Sequence, residues 1–410
     1  QVKTTNQQYS YIEKAREGLF CLSNFFLQNS GAAMYQHFYQ RFLQANPDKQ
    51  HFASHSHHYW PDVTRDATLA YWDDSASMVD DKWQHIFGQV IPQTQQLLAD
   101  ILNLPAPEQI VFAGNTHELV MRLFSCFDLS RPLKVISTDS EFYSFQRQAK
   151  RLAEFDNIEL ISVPTEPFAS FTERFISEVK AQQPDMVFCS QVFFNSGYAI
   201  ADLPAFVLAV AEVTDAMLVI DGYHGFMALP TDLSAIAERI FYLSGSYKYA
   251  QGGEGCCFMA VPPGNNQRPW YTGWFAEFAT LAAEKSALVL YSNDGNRFAG
   301  ATMDYTALYR LHAVLLLFKK QGITVGRIHQ YVKQLQQAFL TELGRQHHPL
   351  LNQQSLLLHN PEQHGHFYTF KLASTSEVAE LAAFLKNKGI ITDYRTDRLR
   401  FGFGLYHNSE

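Results

Sequence analysis

Residues 216–261 read AMLVIDGYHGFMALPTDLSAIAERIFYLSGSYKYAQGGEGCCFMAV, and this stretch decides the fold. AMLVID (216–221) is a short apolar run that ends in a carboxylate, and RIFYLSG (239–245) and GCCFMAV (255–261) are two more. Continuous apolar runs of this length read as strands buried on both faces. After the second run comes Lys248, between Tyr247 and Tyr249, and then GGEG (252–255). Lysine is ordinarily a solvated surface residue. Here it follows a buried strand and precedes a glycine-rich turn, which puts it at a strand end facing a cleft. Taken alone it reads as a loop lysine; the rest of the chain changes that reading.

Upstream, strand-like and helix-like segments alternate. QIVFAG (109–114), LKVIST (133–138), IELISV (158–163) and DMVFCSQV (185–192) are the strands. NTHELVMRLFSCF (115–127), FYSFQRQAKRLAEF (142–155), FTERFISEVKAQ (171–182) and LPAFVLAVAEVT (203–214) carry apolar residues at helical spacing. Strands separated by helices of about a dozen residues predict an α/β fold: a mostly parallel sheet covered by helices on both faces. From residue 301 the pattern changes to two long helices, then to HFYTFKL, SEVAELAAFLKNKG, IITDYR and RLRFGF. That order predicts a smaller C-terminal α+β domain. The expected division is an N-terminal helical segment (1–50) packing on the small domain, a large domain (51–300) and the small domain (301–410). GAAMYQHFYQRFLQA (31–45) reads as the N-terminal helix, and YWDDSASMVDDKW (71–83) as a solvated loop between helices.

Ligands of such sheets bind beyond the carboxyl ends of the strands. The residues there are Asn115, Thr116, His117 and Glu118, then Phe142, Asn195, Asp221 with His224, and Lys248. Asp221 ends a very apolar run, so its carboxylate needs a cationic or hydrogen-bonding partner. Aspartate and lysine at successive strand ends suit pyridoxal 5′-phosphate (PLP). A lysine amine forms a Schiff base with the aldehyde, and an aspartate keeps the pyridine nitrogen protonated. GNTHE (114–118) lies between strand and helix, where backbone N–H groups converge on a phosphate; as a motif it is also an ordinary helix cap.

The segments DGYHGF (221–226) and SGSYKYAQGGEG (244–255) resemble the cofactor segment of kynureninases and of the wider class V aminotransferase family, fold-type I PLP enzymes. SQVFFNSG (190–197), WYTGWF (270–275) and DRLRFGFGLYHN (397–408) follow the same family in the same order. The resemblance implies that Lys248 is the Schiff-base lysine, with Asp221 on the pyridine nitrogen and His224 on the side of the ring oxygen. It further implies Tyr247 as a phosphate or proton-relay hydroxyl, and Phe142 stacked on the ring. Thr116, His117 and Trp274 would hold the phosphate, Trp274 across a dimer interface. Arg400 would hold the substrate α-carboxylate, with Arg395 and Arg398 as neighbouring competitors; guanidinium binds carboxylate bidentately. The implied activity is kynureninase-like hydrolytic Cβ–Cγ cleavage of an amino acid by a homodimer with shared active sites. The alternatives are a class V aminotransferase or β-lyase of the C–S lyase kind, and a non-catalytic PLP-fold protein.

The substrate side departs from the family. FASHSHHYWPDV (52–63) and FAGATMD (298–304) replace its usual turns. If HSHH is extended, His55 and His57 point the same way, as substrate-pocket imidazoles; a metal site is not expected there. A formal charge of −8 excludes a broad basic face, so neither nucleic acid nor an anionic membrane is an expected partner. The longest apolar runs are too short to span a bilayer. Five scattered cysteines and a first segment without an apolar leader are read as reduced thiols in a cytoplasmic protein.

Overall fold

The computed structural model describes residues 34–280 and 287–408. Seven strands form the main sheet: β1 (Ile110–Ala113), β2 (Leu133–Thr138), β3 (Ile158–Val163), β4 (Met186–Ser190), β5 (Met217–Asp221), β6 (Ile240–Gly245) and β7 (Cys257–Ala260). Their order is β1-β7-β6-β5-β4-β2-β3. The five strands from β6 to β3 run parallel, and β7 inserts antiparallel to both β6 and β1. Almost every residue of β4, β6 and β7 is buried. Burial on both faces explains why these strands lack polar alternation.

Helices α3 (Thr116–Phe124), α4 (Tyr143–Leu152), α5 (Phe171–Gln182) and α6 (Leu203–Ala211) connect the strands, behind α1 (Val63–Met78) and α2 (Ile91–Leu102). Each interstrand helix starts where a strand's carboxyl end lets the chain go, so the loops that could carry chemistry gather on one edge. Two long helices follow, α7 (Thr306–Lys320) and α8 (Val325–Arg345). The smaller sheet is antiparallel, in the order β9-β10-β8, from β8 (Phe367–Lys371), β9 (Asp393–Arg395) and β10 (Arg398–Gly402). Helix α9 (Thr375–Asn387) lies between β8 and β9 in sequence. The architecture is the α/β fold with a smaller C-terminal sheet domain that the alternation indicated.

Three local expectations fail. Residues 34–45 are not one helix: a 3-10 turn (Gln36–Phe38) and a short helix (Gln40–Ala45) flank Tyr39. Tyr39 is fully buried and donates its hydroxyl to Gln251 Oε1 at 2.5 Å, which turns the backbone out of helical register. Residues 31–33 lie outside the described residues. The segment 71–83 is not a loop, since α1 runs through Asp73 and Asp74 to Met78. No Gly or Pro interrupts it there, and Tyr309 of α7 donates to Asp74 Oδ2 at 2.9 Å. HSHH is not extended either. The amides of Ser56 and His57 both bond Ala53 O at 2.9 Å, closing a turn that buries His55 and leaves His57 exposed. The two imidazoles therefore do not share a face.

Cys126, Cys189, Cys256 and Cys257 are free thiols, and Cys21 lies outside the described residues. Among the described residues no helix is long and apolar enough to cross a membrane.

Candidate active site

At the carboxyl ends of the parallel strands lies a cavity of about 250 Å³. Its wall includes Thr116, His117, Phe142, Asp221, His224, Tyr247 and Lys248. With Asn115, which also lines it, eight of the residues singled out from the sequence meet in one place.

Asp221 closes β5, in register with Ser190 of β4 and Leu243 of β6. Its Oδ1 accepts the Tyr223 amide at 2.9 Å, so the turn after the strand orients the carboxylate. The residue is partly exposed, and that exposure is to the cavity. Burial of the carboxylate raises its pKa, opposed by the Tyr223 amide and Lys248. Lys248 is 4 % exposed. Its Nζ lies 2.9 Å from His224 Nε2, and 5.1 Å and 4.9 Å from the Phe142 and Tyr223 ring centres. Burial lowers the lysine to about 7, against the pull of Asp221. His224 is held neutral, first by burial and then by Lys248 and Arg400. An amine near neutrality can be a nucleophile and a proton acceptor in the same pH range.

The turn that delivers Lys248 explains the glycines. Ser246 bonds Cys256 O through its amide, the Gly252 amide bonds Ser246 O, and Arg310 of α7 donates to Gly252 O and Glu254 O. The loop thus lies flat on α7. Gly253 has φ +74°, and a Cβ there would sit 2.6 Å from the Trp60 ring. Only glycine fits both conditions.

Gly114, Asn115, Thr116 and His117 line the opposite side of the cavity, where α3 begins. Asn115 Oδ1 accepts the Glu118 amide at 2.9 Å and Asn115 Nδ2 donates to Glu118 Oε1 at 3.1 Å, a reciprocal cap. The start of the helix and its dipole favour an anion here.

Glu141 was not singled out from the sequence. It is 1 % exposed. Its Oε1 accepts Thr138 Oγ1 at 2.7 Å and the Ser190 amide at 3.2 Å, and Oε2 accepts Ser190 Oγ at 2.5 Å. Burial pushes it up to about 8, with the nearby Asp221 adding to the rise. It fixes the turn that presents Phe142, whose ring meets Phe194 edge-on at 5.5 Å.

Arg400, buried on β10, is not part of this cavity wall; its guanidinium lies 6.0 Å from the ring centre of Phe194, which is. Its Nη1 donates to Phe194 O and its Nη2 to Asp393 Oδ2, while Nε has no protein partner. Burial lowers it to about 10, so it stays charged at neutral pH. Arg398 is turned elsewhere, to Asn195 O and Glu166. Arg395 holds Asp393 Oδ1 at 2.6 Å. His55 packs flat on Phe367, 4.6 Å between ring centres, with Nε2 3.7 Å from Asp393 Oδ2. His57 is 5.8 Å from the Tyr247 ring but exposed. Trp274 is 48 % exposed, rests on Phe275 and is not part of this cavity wall.

Residues 59–393 match the family model described as aminotransferase class-V. No curated protein matches the sequence significantly. Several solved structures share the fold. A cystine C–S lyase, C-DES, in complex with its reaction product cysteine persulfide, has a TM-score of 0.74 at 21 % identity over 88 % of this chain and 95 % of that one. An apo cysteine desulfurase from Thermococcus onnurineus NA1 has a TM-score of 0.70 at 16 % identity, covering 88 % and 91 %. The cysteine desulfurase CsdA from Escherichia coli has a TM-score of 0.69 at 14 % identity, covering 89 % and 94 %.

Proposed function

Because the chain belongs to the aminotransferase class-V family of PLP-dependent enzymes, we propose that the Asp221–Lys248 cavity holds PLP and that the enzyme breaks a side-chain bond of an amino acid. The observation that carries this reading is Lys248: buried, near neutrality, under the pull of Asp221, and 2.9 Å from a neutral imidazole in the cavity that both line. The donor set fits the cofactor. An aldehyde needs the amine, a pyridinium needs the carboxylate, and a phosphate needs the capped start of α3. The flat ring needs an aromatic face, which Phe142 offers. When bound, PLP supplies an aldehyde carbon and an electron sink for charge left at the substrate Cα.

The chain's own residues do the rest. Lys248, neutral above about pH 7, takes the Cα proton once the substrate amine has freed it. His224 Nε2, 2.9 Å away, orients that amine. Arg400 anchors the α-carboxylate. What the substrate side chain meets would then depend on the 52–63 and 298–304 segments, where the chain departs from its family. The first reading is kynureninase-like: water adds to the γ-carbonyl, the Cβ–Cγ bond breaks, and an acid and alanine leave. It rests on the resemblance of 221–226, 244–255 and 397–408.

The second reading is C–S cleavage at the same Cβ, supported by the folds of the C–S lyase and the desulfurases. Among the described residues no exposed thiol faces the cavity. Cys257 lines it, but burial pushes its thiol up to about 12 and it bonds the Tyr223 hydroxyl. Sulfur would leave on the product rather than on an enzyme thiolate. A homodimer is also proposed. Trp270, Tyr271, Trp274 and Phe278 are all exposed, and Trp274 meets Phe278 at 5.7 Å; exposed aromatic surface of this kind is what an interface covers.

The test is direct. PLP added to the purified chain gives a visible absorbance band that Lys248→Ala lacks; a chain that never takes up PLP sinks both readings. L-kynurenine yielding anthranilate and alanine supports the first, and L-cystine yielding persulfide supports the second. Sedimentation at several concentrations checks the dimer.

A further inference from the structure

Arg400 is engaged in an unusual way for an anchor. A guanidinium offers a carboxylate two parallel N–H bonds from one edge, side-on from Nε with Nη2 or end-on from Nη1 with Nη2. In this protein Nη2 is taken by Asp393 Oδ2, and Nε is buried without a protein partner. Asp393 therefore bonds the one nitrogen that both edges share. Nη1, the other member of the end-on edge, already donates one N–H to Phe194 O.

Register makes this contact unavoidable. Asp393 and Arg400 stand directly opposite each other on the antiparallel pair β9–β10. Directly opposed side chains on one face of such a pair lie within reach of each other. Asp393 also has somewhere to go, because its other oxygen already holds Arg395 Nη1 at 2.6 Å. The Arg395 side chain is only partly buried and can follow it toward solvent. His55 Nε2, 3.7 Å from Asp393 Oδ2, is the third group facing this carboxylate, and both its ring nitrogens lack a hydrogen-bond partner.

We propose that Asp393 is a built-in competitor for the carboxylate edge of Arg400, released onto Arg395 when an α-carboxylate binds, and that it sets how tightly the site takes amino acids. The inference rests on the reading of Arg400 as the carboxylate anchor. It adds a specificity-determining residue two positions before Arg395, one that no cofactor motif marks. The arrangement favours substrates whose side chains add contacts of their own, since the carboxylate alone competes with Asp393 for Nη2.

The experiment uses PLP-loaded protein and two probes, L-alanine and L-alaninamide, followed by the change in cofactor absorbance on titration. Asp393→Asn keeps the size of the side chain and removes its charge, and Asp393→Ser is a second variant. Both are expected to tighten L-alanine about tenfold, the worth of one charge-assisted hydrogen bond, and to leave L-alaninamide within about twofold. Unchanged or weaker L-alanine binding in both variants overturns the proposal. So does loss of PLP uptake in both, which makes Asp393 a brace for the sheet. The underlying reading fails separately: it is wrong if Arg400→Met leaves the preference for L-alanine over L-alaninamide as it was.

Discussion

Lys248 and Glu141 are both ionisable groups that burial pushes toward the neutral form, and only one of them could be found from sequence. Lys248 stands out because a cation after an apolar strand and before glycines is a misplaced residue until a cofactor explains it. Glu141 sits in a polar turn, SEFYS (140–144), where a glutamate is expected to be solvated. Its burial depends on Ser190 and Thr138, which other strands bring to it. Each residue makes a prediction. Apoprotein should capture PLP faster as pH rises through about 7, because only neutral Lys248 reacts. Asp221 holds that pKa up, so Asp221→Asn should move the midpoint to lower pH; stopped-flow absorbance reads both, and a rate flat from pH 6 to 8 rejects the idea. Glu141 has a folded pKa of about 8 against an ordinary value of 4.5. The unfolded chain releases this proton first, so the residue costs stability as pH rises from about 4.5 to 8. Glu141→Gln removes that cost, so its melting advantage over wild type should grow across this range to on the order of 1–3 kcal/mol. An advantage that shrinks with pH would mean the carboxyl is ionised at neutrality.

Elements were readable where their periodicity is local. The strands and interstrand helices of 109–261 lie where their apolar patterns put them, and α7, α8 and the small sheet follow the order seen from residue 301. Failures came where a tertiary partner overrides local pattern. Tyr39 breaks a helix by burying its ring, and the HSHH stretch turns because Phe52 O takes the Gly402 amide and leaves His55 against Phe367. The start of α3 was ambiguous in sequence between cap and phosphate cradle, and its geometry serves both. Asn115 caps reciprocally with Glu118, and Glu118 in turn holds Arg122 at 3.0 Å. Arg122 donates to Phe298 O, tying the helix start to the 298–304 segment. Asn115→Ala should therefore cost the apoprotein about 1 kcal/mol and weaken PLP binding beyond that loss. Thermal melts and PLP titration measure the two separately. A destabilised variant with unchanged PLP affinity would make α3 a structural helix only.

At the scale of the whole molecule, local pattern indicates that a parallel sheet exists but not its order. The insertion of β7 between β1 and β6, and the pairing of Gln50–His51 with Ile390–Ile391, join segments far apart in sequence. No periodicity encodes such partners. The second junction is also where histidines accumulate. His51 Nδ1 lies 2.8 Å from Tyr406 Oη and its ring stacks on Tyr59 at 4.6 Å. His58 meets Tyr406 edge-on at 5.0 Å, and His407 lies flat on Phe52 at 4.8 Å. Burial lowers His51 to about 4, and His58 and His407 to about 3. Unfolded histidine takes a proton near pH 6.5, while these three stay neutral until far lower. Between those values the unfolded state binds more protons, so stability falls as pH falls. At pH 5.5 each costs roughly 1 kcal/mol relative to pH 7.5, and Glu141 returns only part of it. The seam between residues 50–58 and the C-terminal unit should therefore open first in acid. Urea midpoints should drop between pH 7.5 and 5.5, and hydrogen exchange should rise earliest in residues 50–58 and 403–407. His407→Gln should lessen the pH slope even if it lowers stability at pH 7.5. A slope unchanged in that variant, with exchange rising uniformly, would place the acid-sensitive groups elsewhere.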